Sequence, residues 1–146
     1  MAHDNDVQRA LRNASPRLVV LEDTAAELAK QVDLGVDVAE IARLGRLLDA
    51  QVVEWVEVST FPQPDPVRHA FTTCNGIAFS LAGHARAAVG FGSMANRSAW
   101  KSRWDNVWGE WQRALLWLDR VLQECGLSLP VPATERGELE VRAQGG

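Results

Sequence analysis

One segment constrains this chain more than any other: from Trp100 to Trp111 it reads WKSRWDNVWGEW. Wound as a helix at about 100° per residue, the tryptophans at 100, 104, 108 and 111 fall within a stripe ~80° wide. Leu115, Leu118 and Leu122 prolong the same stripe. Burying one indole removes roughly 150–250 Å² from water, so the surface that receives these rings organises the molecule.

Apolar spacing places three more helices before this one. The first runs from about 16 to 32, with Ser15 as N-cap and Pro16 at the first helical position, where its missing N–H leaves no bond unmade. Its apolar face is Leu18, Leu21, Ala25, Leu28, Ala29 and Val32. The LVVL run at 18–21 has strand character, but the helical period through Val32 outweighs it. Upstream, Val7, Ala10, Leu11 and Ala14 predict a short separate helix. The second helix starts at Asp37, with Glu40 three residues on as in a capping box, and continues to about 58. Gly35 stops the helix before it.

FPQPDP at 61–66 is a connector, because proline interrupts helical hydrogen bonding. Asp65-Pro66 opens the third helix, which runs to about 89. GFGSMAN at 90–96 is a turn by composition, Asn96 or Ser98 starts the fourth helix, and Gly126 ends it. Short turns between long amphipathic helices imply antiparallel neighbours. The predicted fold is therefore all-α: an antiparallel up-and-down four-helix bundle with a short N-terminal helix and an irregular C-terminal tail. The bundle domain covers 1–126 and the tail 127–146, with Leu127 and Leu129 the residues expected to fold back.

The 146 residues suit one domain with a substantial core. A net charge of −4 argues against nucleic acid as the main partner. The amino terminus, MAHDNDVQRALRN, is polar, so no signal peptide is expected. The least charged stretch, 70–83, is shorter than the ~20 residues a bilayer span needs. Cys74 and Cys125 sit within predicted helices rather than in a spaced framework, the usage of core-filling thiols in a reducing, cytoplasmic setting.

The third helix is small where the fourth is large. Gly76, Ala78, Ser80, Ala82, Gly83, Ala85, Ala87 and Ala88 leave few bulky side chains on it. A mid-helix glycine costs up to ~1 kcal/mol relative to alanine, so Gly76 and Gly83 call for a packing reason, and seating the tryptophan stripe is one. Phe71, Cys74, Ala78, Leu81, Ala82, Ala85 and Val89 form one apolar face, yet Gly76, Phe79, Gly83 and Ala87 leave the opposite side apolar or small as well. A helix of that kind is covered on more than one side. The cover is the tail, the amino-terminal helix or another subunit. Trp117, off the main stripe among Arg103, Glu110 and Arg113, is either an interface anchor or packs beneath Leu127 and Leu129. Gly76, Phe79, Gly83, Ala87 and Trp117 are the candidate interface residues.

Chemistry-bearing patterns are sparse. His69 and His84 lie 15 residues apart on one helix, and no H-x-x-x-H or E-x-x-H pairing occurs, so neither a metal site nor a cofactor is predicted. Ser80 and His84 are four residues apart and within reach of each other, but no oxyanion device or orienting carboxylate accompanies them, and no catalytic residue is assigned. The hairpin tip is the most site-like region. Arg86 closes the third helix, and Arg97, Lys101 and Arg103 crowd the start of the fourth, where cations oppose the helix dipole and invite a reason. Backbone N–H groups there, with Ser93, Asn96 and Ser98, can receive a phosphate or carboxylate. The candidate ligand-binding set is His84, Arg86, Ser93, Asn96, Arg97, Ser98 and Lys101; the alternative is a solvated turn with local pairs such as Lys101–Asp105.

The run Ala82-Gly83-His84-Ala85-Arg86-Ala87-Ala88 resembles the phosphoacceptor segment of histidine phosphotransfer domains. Those are four-helix bundles whose exposed histidine is followed by a basic residue and small residues that admit a response regulator. The resemblance covers seven residues, implies an exposed, phosphorylatable His84, and lacks the family's usual Leu-Lys-Gly after the histidine. The leading expectation is a non-enzymatic, cytoplasmic bundle that binds another protein or a copy of itself. An anion-responsive tip is the alternative.

Overall fold

The structure, a computed structural model, describes residues 4–89 and 97–129. It contains four helices: α1 (Asp4–Leu34), α2 (Val38–Ser59), α3 (Asp65–Val89) and α4 (Arg97–Glu124). No strand occurs among the described residues. Each helix packs on the next, and α4 closes on α1 less intimately. Contacts run in opposite senses along neighbours. Asp49 meets Arg86 whereas Ser59 meets Asn75, and His84 meets Trp100 whereas Cys74 meets Ala114. The expected all-α four-helix bundle is the architecture found.

α1 departs from expectation at its middle. Ser15 does not cap a new helix; it is buried inside a continuous 31-residue one that contains Pro16. Interior proline costs ~3 kcal/mol through a lost hydrogen bond and a ring clash with the carbonyl four residues back. Here Arg12 and Pro16 both lie on the exposed side, where water can serve the released carbonyl. The buried stripe meanwhile runs unbroken through Val7, Leu11, Ala14, Leu18, Leu21, Ala25, Leu28 and Val32. Continuous burial holds the two segments as one.

The ends follow local chemistry. Gly35 takes φ +63° and its N–H donates to Gln31 O at 2.9 Å, ending α1. Asp37 Oδ1 accepts from Glu40 N at 3.0 Å, but the Glu40 carboxylate turns to Arg43 rather than back to the cap, so only half of the capping box forms. Gly126 takes φ +72° after α4, and Leu127 N donates to Leu122 O at 2.8 Å. Leu127 and Leu129 are buried, and Gln8 clamps the backbone of Ser128 between them, donating to Ser128 O at 2.8 Å and accepting from Ser128 N at 3.0 Å. The fold-back is real; the rest of the predicted tail, 130–146, lies outside the described residues.

The core is filled from all four helices, with Trp55, Phe71 and Trp111 its largest fully buried rings. α2 and α3 approach closely at Gly45. A Cβ there would sit 2.6 Å from Ala85 O and 2.8 Å from Val89 Cγ2.

Candidate functional site

The tryptophan stripe is an inner wall. Trp100, Trp104 and Trp111 are buried and Trp108 partly so. Trp100 stacks on Trp104 at 5.1 Å between centroids, and Trp104 on Trp108 at 6.0 Å. The Trp100 indole donates to His84 O at 2.8 Å, anchoring the stripe's first ring to α3. The expectation that the glycines of α3 seat the indoles is corrected. Among the described residues, no atom beyond α3's own backbone lies within 4 Å of a Cβ built on Gly76, and Arg86 Nη2, at 3.7 Å, is what one on Gly83 would meet. The small residues of α3 that turn inward are Ala70, Cys74, Ala78, Ala82, Ala85 and Ala88.

The glycines belong instead to the outer face of α3. At about 100° per residue, Gly76, Phe79, Gly83 and Ala87 span ~80° of that helix. Phe79 is 52% exposed, Gly76 and Ala87 are exposed, and Gly83 is half-buried. His69 lies on the same stripe, seven residues before Gly76, itself seven before Gly83. Trp117 is 37% exposed and packs edge-on against His69, with centroids 6.0 Å apart and planes at 88°. All five candidate interface residues thus border one surface, which the described part of the chain leaves open.

The hairpin-tip residues diverge. Arg86 reaches across to α2 and pairs with Asp49 at 2.9 Å. Lys101 lies between Asp33, at 3.6 Å on α1, and Asp105, at 3.2 Å one turn along α4. Arg97 lays its guanidinium over the α1–α2 turn, where a side chain at Gly35 would collide with it. Ser98 is exposed, and Ser93 and Asn96 lie outside the described residues. The cations opposing the dipole of α4 now have a reason. The last turn of α1 carries no basic residue of its own. Arg97 and Lys101 bring positive charge to that carboxyl-terminal end from the neighbouring helix, where it is favourable. Asp33 and Gly35 complete this arrangement; the missing basic residue in the last turn of α1 is their one trace in the sequence.

His84 is half-buried, and its Nδ1 lies 2.8 Å from the backbone oxygen of Ser80 rather than the hydroxyl. A carbonyl oxygen only accepts, so Nδ1 is the donor in this contact. Among the described residues no three His, Cys, Asp or Glu side chains cluster as metal ligands. No described helix is long and apolar enough to cross a membrane. The Arg43 guanidinium, hydrogen-bonded to Glu40, holds that carboxyl below its ordinary range. Fold and surface together define an all-α bundle with an open, small-residue helix face. The chain matches no protein-family model, and comparison with curated proteins and with solved structures yields no match.

Proposed function

We propose that this protein acts without catalysis, by binding another protein or a second copy of itself through the outer face of α3. The observation carrying this reading is the open space above Gly76, beside the half-exposed Phe79 ring. Two mid-helix glycines that no contact among the described residues requires lower the helix's stability, and they let a second backbone approach closely. Trp117 adds an amphipathic ring at one end of the face, the kind of side chain that anchors interfaces. The test is mass in solution by multi-angle light scattering and sedimentation, at micromolar concentrations, for wild type, Phe79→Glu and Gly83→Arg. Self-association lost in both variants, with helicity unchanged, is the expected result. A monomeric wild type shifts the reading to a different protein as partner. Capture of a protein by wild type and by both variants alike would sink it.

A second reading uses the end of the bundle around His84, Arg86, Arg97, Ser98 and Lys101 as an anion- or phosphate-responsive surface. The tethered Nδ1 of His84 favours it, because that hydrogen bond fixes the ring and leaves Nε2 outside it. Incubation with phosphoramidate, followed by ³¹P NMR, tests it: a phosphohistidine signal absent from His84→Ala supports the reading, and no signal removes it.

A further inference from the structure

The outer face of α3 carries a projection and a hollow three residues apart. The Phe79 ring is half-exposed, and among the described residues no atom beyond α3's own backbone lies within 4 Å of a Cβ built on Gly76. Between Arg68 and Arg86 the helix has no aspartate, glutamate, lysine or arginine. Each end of that uncharged stretch carries an ion pair open to solvent: Arg68 with Asp65 at 2.7 Å, and Arg86 with Asp49 of α2 at 2.9 Å. Arg86 follows Arg68 by about five whole turns, so both cations sit along one edge of the face, the edge beside α2. An uncharged centre with a charged rim is the anatomy of an interface.

Taking this face as an interface, the reading on which the inference rests, we propose that its occupant is a second copy of the chain. The two α3 helices lie antiparallel, about a two-fold axis that passes between Gly76 and Phe79. Under two-fold symmetry residue i meets j wherever j meets i. Each Phe79 ring therefore enters the hollow over the partner's Gly76, and both hollows fill at once. The same axis sets Thr72 opposite the partner's Gly83. A rotation of this kind keeps each edge of the face on its own side, so the Asp65–Arg68 pair of one copy meets the Asp49–Arg86 pair of the other. Carboxylates and guanidiniums then alternate at both rims, and exposed pairs of this sort exchange partners at little cost. A parallel arrangement would set Phe79 against the partner's Phe79, leave the glycines facing each other and align the two helix dipoles unfavourably. The pattern is self-complementary, which selects a second copy over an unrelated protein.

Two measurements on the full chain test this. The first needs no variant: isotope-labelled and unlabelled wild type are mixed in equal parts, and isotope-filtered NOE spectra report contacts between copies. The Phe79 ring is expected to contact the Gly76 α-protons of the other copy. Contacts from Phe79 to Phe79 across copies would overturn the antiparallel register and leave the face an interface. A chain that stays monomeric at NMR concentration would overturn the second copy as occupant, with a different protein still open to this face. A monomer whose Phe79 touches residues 130–146, or a dimer whose contacts between copies avoid α3, would sink both readings. The second measurement mixes Thr72→Cys with Gly83→Cys, each in a Cys125→Ser background, the remaining Cys74 being buried. A short bis-maleimide should link the mixture and neither variant alone. Links within each variant alone, and none between them, would overturn the proposal.

Discussion

Gly45 on α2 lies directly against the backbone of Ala85 on α3, so close that a Cβ would stand 2.6 Å from the Ala85 carbonyl oxygen. This contact sets how near the two helices come, and neither a carbonyl nor the β-branched Val89 beside it can move aside cheaply. Gly45→Ala should therefore destabilise the protein by about 1–3 kcal/mol despite alanine's higher helix propensity. Gly76→Ala, with nothing among the described residues above it, should stabilise the monomer by about 0.5–1 kcal/mol. Urea denaturation followed by circular dichroism measures both, and equal effects would refute the assignment.

Lys101 and Arg97 act on α1 from another helix, so their loss should be felt through charge. Lys101→Ala is expected to cost roughly 0.3–1 kcal/mol at low ionic strength, the range of a helix-end cation. The penalty should shrink toward zero in 1 M salt, where the Debye length falls to about 3 Å. Denaturation midpoints compared at the two ionic strengths provide the measurement.

The clamp between Gln8 and Ser128 positions two buried leucines at the end of the bundle. Leu129→Ala and Leu127→Ala should each cost about 2 kcal/mol, the low end of the range for core leucines. Gln8→Ala should cost less, roughly 1 kcal/mol, since it leaves the leucines in place. Thermal unfolding of the three variants orders them, and an unaffected Leu129→Ala would show that the fold-back contributes nothing.

Glu40 supplies the pH dependence. Its carboxyl is depressed in the folded state by the hydrogen bond from Arg43. A depressed carboxyl stabilises above its unfolded pKa, and that contribution is lost as pH falls through the lower folded value. Wild type should therefore exceed Glu40→Gln in melting temperature at neutral pH by a small margin, since the pair is exposed. The two curves should converge under acid. A gap that persists in acid would place the cause elsewhere.

Much of this molecule was written locally. The tryptophan stripe, the N-cap at Asp37, the glycine stop at Gly35 and the apolar period of each helix depend on residues within a turn or two of one another. Spacing and capping chemistry therefore suffice to place them. Even the return of Leu127 and Leu129 follows from apolar residues placed just beyond a glycine stop. The tertiary structure decided what depends on neighbours distant in sequence. It joined the first two helical segments across Pro16, because a shared buried stripe outweighs one lost hydrogen bond. It gave the close-approach role to Gly45 rather than to Gly76 or Gly83, because rotation about the helix axis, invisible in a list of small residues, turns those two outward. It sent Arg86 to Asp49 on α2 and Arg97 and Lys101 to the end of α1, because charges seek the nearest opposite charge or helix end in space, whichever helix carries it.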